Sequence, residues 1–113
     1  MGLDSFWEVP EGTKEPTFDP PLRLCGGMFS GHGKGSFRGK VYYSAIQEVS
    51  GVSLYQERME PGDVKRIADA LAAYEPTEEW LERHNILSMK EWNDLVRMFR
   101  GYADVGASLL GWW

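Results

Sequence analysis

The segment CGGMFSGHGKGSFRGK, Cys25 to Lys40, concentrates most of the residue types that could do chemistry. It holds six of the 13 glycines and three of the 12 lysines and arginines, with no acid, in a chain of formal net charge -5. Glycine leaves its backbone amides uncovered and permits left-handed dihedrals. Successive amides in such a run can curl into a nest for an anion. Lys34, Arg38 and Lys40 would supply full charges, and the planar guanidinium of Arg38 can grip two oxygens at once. Ser30, Ser36 and His32 can donate as well. A helix opening near Phe37 would add its first amides to the same corner. The expected anion site is therefore Gly31, His32, Gly33, Lys34, Gly35, Ser36, Arg38 and Lys40. Its guest would be a phosphate, a nucleotide or a single stretch of nucleic-acid backbone. The competing reading is a solvated surface loop whose glycines let it turn and whose charges keep it wet.

No stricter motif is met. The spacing of Gly26 and Gly31 fits a Walker loop, but His32 stands where lysine is required. GHGKGS lacks both the glycine spacing and the strand-helix frame of a dinucleotide fingerprint. Cys25 and His32 lie seven apart with no third group to orient them, so a buried or idle thiol is the simpler reading. With two histidines and one cysteine in the chain, too few nitrogen and sulfur ligands exist for a zinc site. Glu75, Glu78, Glu79 and Glu82 read as a solvated helix face. The expectation is a protein without catalytic machinery, metal or cofactor.

Trp112 and Trp113 are the other residues to explain. Two indoles after Leu109-Leu110-Gly111 should not sit in water, since burying one is worth a few kcal/mol at about 25 cal/mol per Å2. They either pack on their own domain or dock into a second chain, as in a homodimer.

The elements that would position these groups follow from periodicity. Leu3 to Val9 reads as a short strand with apolar contacts on both faces. EGTKEPTFDPPL, with its prolines, is an extended connector, and Leu22 to Leu24 a brief second strand. Val41, Tyr42, Ala45, Ile46 and Val49 make a helical face stopped by Ser50-Gly51, with a strand over Lys40 to Tyr43 as the alternative. Val52 to Met59 alternates like a strand, broken at Pro61-Gly62. Asp63 caps a helix whose buried stripe is Val64, Ile67, Ala68 and Leu71. Thr77 caps the next, with Trp80 and Leu81 inward. Ser88 and Glu91 form a capping box for a long last helix, with Trp92, Leu95, Val96, Phe99, Ala103, Gly106, Ala107 and Leu110 on one face. The fold class is α+β: a small antiparallel sheet of short strands packed against about four helices, in a single domain over residues 1–113.

Composition narrows the partners. A pI near 5.0 excludes a general nucleic-acid coat, which needs clustered basic residues. The N-terminus has neither the basic region nor the apolar run of a signal peptide. It lacks the Ser or Thr at position 6 that myristoylation wants. No apolar stretch approaches a membrane span. The expectation is a soluble, cytoplasmic protein.

The phrases MGLDSFW, GGMFSGHGKGSFRGKVY, VSLYQE and LLGWW resemble a loose group of small bacterial and phage proteins with no assigned activity. The resemblance implies a compact intracellular protein, of the kind encoded by a phage or mobile element, and no residue roles. The expected function is an accessory module that binds a phosphate-bearing partner through the basic glycine-rich loop. A protein-interaction or assembly subunit using Trp112 and Trp113 is the alternative.

Overall fold

The computed structural model describes residues 4–18, 22, 29–30, 36–38, 42–54, 56–86 and 88–112. Five strands and four helices follow in the order β1 (Asp4–Glu8), β2 (Phe29–Ser30), β3 (Ser36–Arg38), α1 (Tyr43–Ser50), β4 (Arg58–Met59), α2 (Pro61–Ala73), α3 (Glu78–Arg83), α4 (Met89–Asp104) and β5 (Ser108–Trp112). The strands form one sheet in the order β2-β3-β1-β5-β4, antiparallel throughout. This is a small α+β fold.

Helix positions follow the apolar spacing. In α2, Val64, Ile67, Ala68 and Leu71 are buried, as their one-face pattern requires. The Thr77 side chain accepts from the Trp80 amide at 3.1 Å to start α3, and Trp80 and Leu81 turn inward. Ser88 accepts from the Glu91 amide at 3.1 Å to start α4. The Glu91 carboxylate reaches further, accepting from the buried Tyr42 hydroxyl at 3.1 Å. That bond joins the start of α1 to α4. α1 ends at Gly51, whose φ of +77° is open to glycine without strain.

Four expectations change. α2 begins at Pro61, with Glu60 at its N-cap and Asp63 inside the first turn. Proline suits the first helical position, where no amide donor is needed. The strand expected over Val52 to Met59 shrinks to Arg58–Met59. Local bonds take the backbone before it: the Val52 amide donates to Ser50 Oγ at 3.1 Å and the Gln56 amide to the Leu54 carbonyl at 2.9 Å. The helix expected near Phe37 opens instead at Tyr43, and Phe37 lies in β3. Finally, α4 stops at Asp104. Gly106 takes φ +72°, its amide donates to Ala103 and that of Ala107 to Tyr102. These are the two bonds of a Schellman turn. Residues 108–112 then leave as β5, between β1 and β4.

The core lies between this sheet and the helices. Trp7 of β1 and Leu109 of β5 are buried with Leu95, Met98, Phe99 and Tyr102 of α4. Trp7 stacks on Tyr102 with ring centroids 4.3 Å apart and planes 2° apart, and meets Phe99 edge-on at 5.4 Å. The connector after β1 covers the same region. The ring of Phe18 presses on Gly101, where a Cβ would come within 2.7 Å of it.

Burial has a titration consequence. Tyr102 is 1 % exposed, and loss of solvation, helped by the Glu15 carboxylate, pushes its hydroxyl up to about 12 from 10.0. The folded state therefore holds this proton where the unfolded chain gives it up. The contribution is complete below pH 10 and lost as pH rises through 12, about 2–3 kcal/mol in all. Tyrosinate absorbance followed in the wild type and in Tyr102→Phe should differ by one late-titrating group. A difference curve centred at pH 10 would contradict this.

Candidate functional site

Within the glycine-rich segment, β2 and β3 pair antiparallel. Ser30 stands opposite Ser36 and Phe29 opposite Phe37, so Gly31, His32, Gly33, Lys34 and Gly35 connect the two strands. Those five residues and Lys40 lie outside the described residues, as do Cys25 and Trp113. Ser36, expected as a hydroxyl donor, and Arg38, expected as a guanidinium, both lie in β3. There β2 flanks the strand on one side and β1 on the other, and the ladder draws on the backbone groups between them. Helix α1 begins at Tyr43, five residues past Arg38, so its first amides do not extend that strand's end. Arg38 stands opposite Asp4 in register. Trp112 is the last residue of β5 and stands opposite Asp4 on the same strand.

A second cluster joins α1 to α3. Ser44 and Glu48 are four residues apart on α1, one turn from each other on the same side. His84 is the C-cap of α3, with its amide donating to the Trp80 and Leu81 carbonyls. Asn85 follows with φ +60°. The Ile86 amide donates to Leu81 and the Asn85 amide to Glu82, a Schellman turn with asparagine in the left-handed position. The turn fixes where His84 points. Its Nδ1 lies 2.9 Å from Ser44 Oγ. Its Nε2 lies 3.3 Å from Glu48 Oε2, an ion-pair distance without the alignment of a hydrogen bond. The Trp80 indole sits against the imidazole at 4.3 Å and donates its Nε1–H to the same Glu48 oxygen. The His84 side chain is 11 % exposed and that of Glu48 54 %. Neither Ser44 nor His84 stands out in the sequence. They are forty residues apart in no motif, and only the docking of α3 on α1 brings them together.

A groove of about 550 Å3 opens between α3 and the start of α4, with Leu81 and Ile86 at its base and Glu78 and Glu82 among its walls. Met89 beside them is 47 % exposed. The two carboxylates make this groove a poor seat for an anion. Among the described residues, no group of three or more histidine, cysteine or acidic side chains could hold a metal ion. No helix among them is long and apolar enough to cross a membrane.

Comparison with protein-family models, with curated proteins and with solved structures gives no match.

Proposed function

We propose that the protein is an accessory module that binds a phosphate-bearing partner through the connection between β2 and β3. The observation that carries the reading is the register: Ser30 stands opposite Ser36, so the sequence Gly-His-Gly-Lys-Gly joins two paired strands, and β2 stands at one end of the order of described strands. An acid-free, glycine-rich loop at a sheet edge can meet a large anionic partner that a cleft could not admit. Lys34 and Lys40 carry the attraction, with His32 and Ser36 as donors.

Isothermal titration with inorganic pyrophosphate and with a single-stranded oligothymidylate tests this. Both should bind weakly, in the range of about 10 μM to 1 mM, and added salt should weaken the oligonucleotide more steeply. Replacing Lys34 and Lys40 together by alanine should reduce binding about tenfold or more. Absence of heat with both probes, or equal binding by the double variant, would remove the proposal.

A further inference from the structure

We propose that Ser44 is a nucleophile toward activated acyl groups, with His84 as its base and Glu48 as the group that positions and balances the imidazole. The proposal rests on the α1–α3 cluster and is independent of the β2–β3 connection.

Serine is a weak nucleophile until a neighbouring base takes its proton. Ser44 Oγ lies at hydrogen-bond distance, 2.9 Å, from His84 Nδ1. The carboxylate 3.3 Å from Nε2 favours the tautomer that carries its proton there, which leaves Nδ1 free to accept. The two ring nitrogens are interchanged relative to the usual serine-protease arrangement. The chemistry asks only that one accept while the other holds its proton. Ser44 is exposed while the imidazole behind it is 11 % exposed. A reagent can therefore reach the oxygen while the base stays shielded.

In the step itself, the Oγ lone pair forms a bond to the acyl carbon as the Oγ–H proton passes to Nδ1. The bond from that carbon to the leaving oxygen then breaks, and the leaving group departs with the electron pair. His84 returns its proton to the leaving group or to water, and an ester remains on Ser44. Glu48 at 3.3 Å stabilises the transient imidazolium, and the Trp80 ring, tilted against it with centroids 4.3 Å apart, shields it.

The same contacts would also serve as a plain link between α1 and α3, and reactivity separates the two. The full chain is treated with excess p-nitrophenyl acetate, nitrophenolate release is followed, and the modified residue is mapped by peptide mass. The expected result is a burst of about one equivalent with the acetyl group on Ser44. Ser44→Ala should abolish the burst and His84→Asn slow it about 100-fold or more. Asparagine is tolerated at a helix C-terminus, so the fold should persist by circular dichroism. Glu48→Gln keeps an acceptor for Trp80 but loses the charge, and should slow the burst while leaving the fold intact. Acetylation confined to lysines, or a burst unchanged in Ser44→Ala or in folded Glu48→Gln, would overturn the proposal.

Discussion

Trp7→Ala should cost about 3–5 kcal/mol of stability, the range for deleting a large aromatic from a packed interior. Trp7 is fully buried, stacked on Tyr102 and edge-on to Phe99. The sheet and α4 both lean on its ring, and neither can close the space alone. Domains of this size have about 5–15 kcal/mol in total, so the variant would sit near the edge of folding at room temperature. Its indole nitrogen is enclosed with no hydrogen-bond partner among the described residues, a group that is costly to bury. Trp7→Phe removes that burden along with part of the ring and should lose clearly less than Trp7→Ala. Urea unfolding followed by far-ultraviolet circular dichroism measures both. A loss below about 1.5 kcal/mol for alanine would mean that the space collapses or fills.

Removing residues 108–113 should have the larger effect still: no cooperative unfolding transition at all. β5 pairs with β1 along Ser108–Trp112 and with β4 at Leu109 and Leu110, and the Gly111 amide donates to the Glu57 carbonyl at 2.8 Å. Without it β1 loses a neighbour, β4 is left with no partner among the described strands, and the sheet divides. Leu109 alone is worth about 1.5–3 kcal/mol of buried side chain, and the edges of β1 and β4 would have unpaired backbone groups. Calorimetry of the shortened chain should show a flat trace beside the sharp transition of the full chain. A retained sharp transition would show that the four helices and the remaining strands suffice.

That same region shows where sequence patterning stops informing. The spacing of Trp92, Leu95, Val96 and Phe99 identifies α4, and it continues through Ala103, Gly106, Ala107 and Leu110 as if the helix went on. The residues after Asp104 are apolar because β5 is interior to the sheet, and a short apolar run fits either element. Gly106 was the one local signal for a stop, since a glycine past a helix end commonly takes the left-handed turn seen here. In α2 and α3 no such ambiguity arose. Four apolar residues at helical spacing, bounded by Pro61, and a threonine ahead of two glutamates leave little choice. The candidate sites divide in the same way. Lys34, Arg38 and their glycines were visible as composition, but placing Ser36 and Arg38 in a ladder required knowing which strands flank them. Ser44 and Glu48 belong to no motif, and His84 joins them only through tertiary packing, which no local spacing encodes.

The pairing of Asp4 with Trp112 also bears on how the chain reaches this state. The two longest described strands lie about a hundred residues apart in sequence, so their ladder cannot form until the chain between them has been synthesised. Contacts of such high order slow the search, because loop closure must precede any gain from pairing. During synthesis, β1 would leave the ribosome long before its partner and wait with an open edge. The helices α2 and α4, whose contacts are nearer in sequence, are the natural place for structure to gather first, with the sheet zipped last.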